Sequence, residues 1–128
     1  MIIDGQENLY KIDDKTFHCG THITMELIGG KWKCIILWYL RHGKTRFSEL
    51  KRYMPDITEK MLSIQLQALE NDRFISKKVI GEKPPLKVYY QLRDLGKTLL
   101  PIIELITDWG DNYGKKNGEL IKPKGAKL

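Results

Sequence analysis

The chain has 128 residues, 41% of them hydrophobic and 30% charged, with a formal net charge of +6. That length supports one domain with a real core rather than two, and no apolar run approaches the roughly 20 residues of a membrane span. Cys19 and Cys34 are the only cysteines, and Met1-Ile2-Ile3 runs straight into Asp4-Gly5-Gln6-Glu7, so neither a secreted disulfide scaffold nor a secretory leader is expected and a cytoplasmic protein is.

Residues 1–18 are polar without sustained periodicity and are expected to form a mobile or partner-dependent arm. Residues 22–28 predict a short helix with Thr21 as a candidate cap, closed by Gly29-Gly30. Residues 31–42 predict a strongly apolar helix with Trp32, Ile35, Ile36, Tyr39 and Leu40 on its buried side. Gly43 suits the position just past its end, because glycine takes positive φ without strain.

The stretch from Thr45 to Leu92 organises the rest. Thr45 is placed as the cap of a helix whose face carries Phe47, Leu50 and Met54. Pro55 ends that helix, since the residue before a proline avoids the α region. Thr58 is a candidate N-cap for a second helix with Leu62, Leu66 and Leu69 as its apolar stripe. Two helices joined by so short a turn match a helix-turn-helix. The opposite face of the second helix carries Glu59, Lys60, Ser63 and Gln67, side chains able to meet base edges and phosphates.

Residues 74–80 and 87–92 alternate in the β-branched manner of an antiparallel hairpin, with 81–85 as its loop. Lys77, Lys78, Lys83 and Lys87 make this hairpin basic, as expected of the wing of a winged helix. Residues 31–93 hold 14 Lys/Arg against 6 Asp/Glu, a net of +8, so the excess charge sits on this segment, as expected for contact with a polyanion.

Residues 94–113 predict one last long helix carrying Leu95, Leu99, Ile102, Ile103, Ile106, Trp109 and Tyr113 near one side. Pro101 should kink or break it near Leu100. Residues 114–128 are expected to be a frayed basic tail. So small a core cannot also absorb this helix and Trp32, Trp38 and Trp109, which points to a two-fold dimer buried through Ile102, Ile103, Ile106, Trp109 and Tyr113. Such a dimer would set two recognition helices about one DNA turn apart, matching a palindromic operator. The expected fold is therefore α+β and mostly helical, a winged helix-turn-helix domain over 19–113 with a two-stranded wing and terminal dimerisation helices.

The candidate DNA-binding residues fall in three groups. Thr58, Lys60, Ser63 and Gln67 are candidates for base edges and phosphates; Lys31, Thr45 and Arg46 for phosphates beside the first helix; Lys77, Lys78, Lys83 and Lys87 for the wing. Cys19 lies at a helix start beside His18 and near His22 and Lys15, surroundings that lower a thiol pKa and favour reaction with oxidants or electrophiles. Cys34, inside an apolar helix, reads as core. His18, Cys19 and His22 lack an evident fourth ligand, so neither metal nor cofactor is expected. No phosphate-binding glycine loop, catalytic triad or paired-carboxylate motif is present, so an enzyme is not expected. The rival readings are a winged helix used for protein contact and a regulator that answers a small ligand instead of an oxidant.

Several blocks together resemble the HxlR-type bacterial transcription regulators, relatives of the MarR winged helices. They are Leu27-Ile28-Gly29-Gly30-Lys31-Trp32, Arg46-Phe47-Ser48-Glu49-Leu50, Met61-Leu62, Gln65-Leu66, Leu69-Glu70 with Asp72, Pro84-Pro85, Val88-Tyr89-Tyr90 with Leu92, Leu95-Gly96, Leu99-Leu100-Pro101 and Trp109. The resemblance implies a homodimeric DNA-binding repressor or activator with dimer contacts from both terminal regions. It also implies that a cysteine in the N-terminal region, here Cys19, can sense oxidants or reactive carbon species. Two positions depart from the pattern. Arg73 stands where glycine is usual past the recognition helix, leaving the left-handed cap to Asn71 or Asp72 or straining Arg73. Arg93 stands where a serine or threonine often caps the terminal helix, which weakens that cap or passes it to Asp94.

Overall fold

The computed structural model describes residues 1–122. Strands β1 (Ile2–Ile3), β2 (Gln6–Glu7), β3 (Tyr10–Ile12) and β4 (Lys15–Phe17) precede helices α1 (Gly20–Ile28) and α2 (Lys33–Tyr39) and a 3-10 turn (Leu40–His42). Then come β5 (Thr45–Arg46), α3 (Phe47–Tyr53), α4 (Glu59–Asn71), β6 (Ile75–Ile80), β7 (Lys87–Leu92), α5 (Asp94–Lys97) and α6 (Leu100–Asn117). This is the α+β winged helix-turn-helix expected from the sequence.

The N-terminal arm is more ordered than its polarity suggests. It folds into two small antiparallel hairpins, β1 with β2 and β3 with β4. Asp4 and Gly5 both take positive φ, 51° and 77°, the two-residue turn that matches strand twist. Asp13 turns the second hairpin at φ 53°. Aspartate tolerates that conformation better than most side chains, which is the signal that polarity masked.

Cys19, in extended conformation, is the residue before α1, so the helix starts ahead of the expected Thr21 cap. Gly29 closes it, and a Cβ there would strike the Met25 carbonyl. α2 is shorter than the predicted 31–42 helix, its last turn tightening to 3-10 before Gly43 at φ 121°. Its buried side is Ile36 and Leu37, joined by Leu40 of the turn, whereas Ile35 is exposed. The core gathers these with Leu50 and Met54 of α3, Leu62, Leu66 and Leu69 of α4, and Phe74, Ile75, Tyr90 and Leu92 of the sheet.

The wing is the predicted hairpin, with Ile75 opposite Leu92 and Ile80 opposite Lys87. A third strand was not legible. β5 pairs with β7, Thr45 opposite Tyr90 and Arg46 opposite Tyr89, giving the order β5-β7-β6. Thr45 is therefore a buried strand residue, and Arg46 occupies the N-cap of α3, its amide donating to Glu49 Oε1 at 3.3 Å.

The predicted terminal helix breaks in two at Thr98–Leu99, and Pro101 sits in the first turn of α6, where its missing amide costs no hydrogen bond. Arg93 precedes α5 without a side-chain cap bond, so the weaker of the two expected caps is realised, with Asp94 in the first turn. α6 runs on to Asn117, past the expected end at 113, with Lys115 and Lys116 in its last turn, where cations suit the helix dipole. The part of the expected basic tail from 123 to 128 lies outside the described residues. Among the described residues no helix is long and apolar enough to cross a membrane.

Candidate nucleic-acid interface

The presentation of α4 follows from its two ends and its stripe. Thr58 Oγ1 accepts from the Met61 amide at 3.0 Å, satisfying one orphan donor of the first turn. At the other end the Phe74 amide donates to the Leu69 carbonyl and the Arg73 amide to the Glu70 carbonyl, both at 3.0 Å, the two bonds of a Schellman cap. The left-handed position of that cap falls on Arg73, at φ 65°, and not on Asn71 or Asp72. Leu62, Leu66 and Leu69 are fully buried, which turns Lys60, Ser63 and Gln67 outward together. Gln67 Nε2 donates to Asn71 Oδ1 at 2.9 Å, so two amides stand side by side on the exposed stripe. Ile64, 50% exposed, lies on the same stripe and was not singled out from the sequence.

A groove of about 330 Å³ runs between this face and the wing, lined by Arg46, Phe47, Ser48, Ser63, Lys77, Leu86, Val88 and Tyr90. Strand alternation divides the wing's lysines. Lys77 is opposite Tyr90 and shares its face, toward the groove and α4; Lys78 is opposite Tyr89 and Lys87 opposite Ile80, on the other face. Burial, with Glu70 adding to it, pushes the Tyr90 hydroxyl up from the usual tyrosine range. On the outer face Lys44 Nζ lies 4.5 Å and the Arg46 guanidinium 6.0 Å from the Tyr89 ring. Lys83 is exposed in the wing loop.

The sequence candidates thus separate. Ser63 and Lys77 line the groove, Arg46 lines its edge with the guanidinium turned toward Tyr89 on the outer face, and Lys60 and Gln67 are exposed on α4 to either side of Ser63. Thr58 is engaged as a cap. Thr45 is corrected: it is buried, its hydroxyl donates to the Gly43 carbonyl at 2.9 Å, and it presents nothing to a phosphate. Lys31 lies over the Trp32 ring at 4.5 Å, ahead of α2, and does not line the groove. Ser48 and Lys44 were missed, because only the β5–β7 pairing shows what they adjoin.

Cys19 is part-exposed and unbonded to Cys34. The His18 side chain beside it, then the amides at His22 and Thr21, bring its thiol down to about 7. The His18 amide donates to His22 Nδ1 at 3.0 Å, and Phe17 packs edge-on against the His22 ring, so the imidazole is held in place. Cys34 differs. Burial pushes its thiol up, and Sγ approaches the Ile28 carbonyl at 3.5 Å.

On α6 the apolar residues divide. Ile103 is 2% exposed and belongs to the protomer's own core, a correction to its expected place in a dimer contact. Ile102, Leu105, Ile106, Trp109 and Tyr113 form an adjoining, solvent-facing stripe, with Trp109 and Tyr113 stacked at 5.3 Å.

The HxlR-like helix-turn-helix family matches residues 27–118. The HTH-type transcriptional regulator YtcD of Bacillus subtilis (strain 168) is 47% identical over 102 residues, 80% of each chain. The crystal structure of a putative HTH-type regulator ytcD aligns with a TM-score of 0.68 at 47% identity, over 74% of this chain and 96% of that one. The redox regulator HypR in its reduced form aligns with a TM-score of 0.69 at 39% identity, over 73% of this chain and 92% of that one. With the helix pair, the wing and the exposed polar stripe in place, the chain belongs to the HxlR-like helix-turn-helix family of DNA-binding transcriptional regulators, which are not enzymes.

Proposed function

We propose that the protein acts as a homodimer on a palindromic operator, α4 of each protomer in the major groove and the wing along the adjoining backbone. The observation that carries this reading is the outward stripe Lys60-Ser63-Gln67, whose Ser63 lines the same groove as Arg46 and Lys77. Gln67 can pair with adenine through two bonds, while the cations bind phosphate without regard to sequence. Selection of bound duplexes from a random pool tests it. Gln67→Ala should lose preference for the selected duplex over random DNA, and equal losses on both would defeat the assignment.

The exposed stripe of α6, with Trp109 69% exposed, supplies the surface for the second protomer. Cys19 is the proposed sensor: its oxidation, to an intersubunit disulfide where two protomers bring it together, shifts the dimer between DNA-binding states. The support is its lowered pKa and exposure, with HypR, a redox regulator by its description, among the similar structures. Unchanged DNA affinity after diamide, with Cys19 still a free thiol, would remove this step.

A response to a small ligand is the second reading. It is favoured by a cleft of about 420 Å³ walled by Trp38, Tyr39 and Tyr53 with Arg41, His42 and Lys44 at its rim. The Arg41 guanidinium already lies 3.9 Å from the Trp38 ring, so a planar anion would have to share that contact.

A further inference from the structure

Ile64 stands where local rules do not ask for it. It faces away from the Leu62-Leu66-Leu69 stripe, is half exposed, and is a β-branched residue in a helix interior, where glutamate, lysine or glutamine would be better helix formers. A single exposed apolar side chain is ordinary on a protein surface. Its position on this surface is not ordinary. By helical periodicity it lies between Lys60, four residues before, and Gln67 and Asn71, three and seven residues after, near the middle of the outward stripe.

The isoleucine and the two amides of this stripe point to the same kind of base pair, A·T. Gln67 and Asn71, joined at 2.9 Å, offer the amide chemistry that matches the major-groove edge of adenine. The partner of adenine is thymine, the one base whose C5-methyl projects into the same groove. Ile64 and Gln67 are separated by about 4.5 Å along the helix, close to the roughly 3.4 Å step between stacked bases. We propose that Ile64 is a specificity residue that packs against a thymine C5-methyl, one base-pair step from the adenine met by Gln67, so that α4 selects A·T pairs through one apolar and one amide contact. This inference rests on the reading of α4 as the recognition helix.

The test uses the duplex that the wild-type protein selects from a random pool, and the same duplex with single thymines replaced by deoxyuridine. That replacement deletes only the C5-methyl and keeps base pairing and the minor groove. Replacing one thymine should lose affinity about fourfold in a single half-site and about fifteenfold when both half-sites are replaced, the scale of one buried methyl group in each. Ile64→Ala should lose about as much on the thymine duplex and show no further loss on the deoxyuridine one. Alanine is the better helix former at an exposed site, so the variant should fold, and far-ultraviolet dichroism checks this. Gln67→Ala should keep the thymine preference while relaxing at the neighbouring pair. An Ile64→Ala protein that retains the wild-type thymine-to-deoxyuridine ratio would overturn the inference, as would specific binding with no thymine effect at any position; both leave α4 as the recognition helix. Absence of salt-dependent binding to any duplex would instead remove the recognition-helix reading and the inference with it.

Discussion

α4 and α6 are built alike on the inside and unlike on the outside. Each buries apolar residues in the same core, Leu62, Leu66 and Leu69 from one and Ile103 from the other. Outside, α4 presents ammonium, hydroxyl and amide groups around Ile64 and the less exposed Met61, whereas α6 presents Ile102, Leu105, Ile106, Trp109 and Tyr113. Water tolerates the first face at little cost. The second leaves large apolar area in water, a cost that contact with another protein would remove. The inward stripes hold the protomer together; the outward ones differ as the proposed roles require, one facing a polyanion and the other a second copy of the chain.

A charge on the apolar face should break this contrast most severely. Ile106→Glu is expected to convert a dimer to the 15.0 kDa protomer and to lower DNA affinity by about a hundredfold or more, because the two half-sites are no longer bound together. Light scattering behind size exclusion reads the first effect and fluorescence anisotropy the second; an unchanged mass would show that α6 is not the interface. On the polar face, Gln67→Ala should lose about 1–3 kcal/mol of discrimination for each half-site.

The wing sharpens the comparison. Lys77→Ala should weaken binding to all duplexes more than Lys78→Ala, since only Lys77 faces the groove beside α4. Equal effects would mean that backbone phosphates pass over both faces of the hairpin. At the C-terminus of α4, Arg73→Gly should stabilise the protein by about 1 kcal/mol in urea unfolding, by relieving a left-handed backbone on a residue with a Cβ. A loss of stability would mean that the arginine side chain makes a compensating contact.

The cysteines give a smaller, pH-resolved prediction. A thiol held at about 7 becomes thiolate as pH rises through 7, so the rate of Cys19 alkylation should climb between pH 6 and 8 and level off above. Cys34, pushed up by burial, should stay slow throughout that window. Mass spectrometry of iodoacetamide adducts separates the two sites, and matching rates would remove the special character of Cys19.

The helix pair and the wing were legible because each carries its own period. Phe47, Leu50 and Met54, the Leu62-Leu66-Leu69 stripe and the alternation over 87–92 are local signals that survive without knowledge of the partner element. β5 was not legible. Two residues have no period, and Thr45 becomes a strand residue only through its pairing with Tyr90. The division of Lys77 from Lys78 was available from strand alternation, but which side faces α4 needed the sheet. Ile103 was grouped with the dimer residues because its helix is apolar on more than one side, and periodicity alone does not say which side meets the protomer's own core. The N-terminal hairpins were hidden by their polarity, although Asp4-Gly5 is a strong turn signal.

Anisotropy of the selected duplex, titrated in salt, tests the central claim most directly. Lys60, Lys77, Arg46 and Lys83 from each of two protomers should release enough counterions for the logarithm of the association constant to fall with the logarithm of salt at a slope of about −7. A random duplex should bind more weakly at every salt concentration. A slope near zero, or equal affinity for selected and random DNA, would contradict the account of α4 and the wing as a DNA-reading surface.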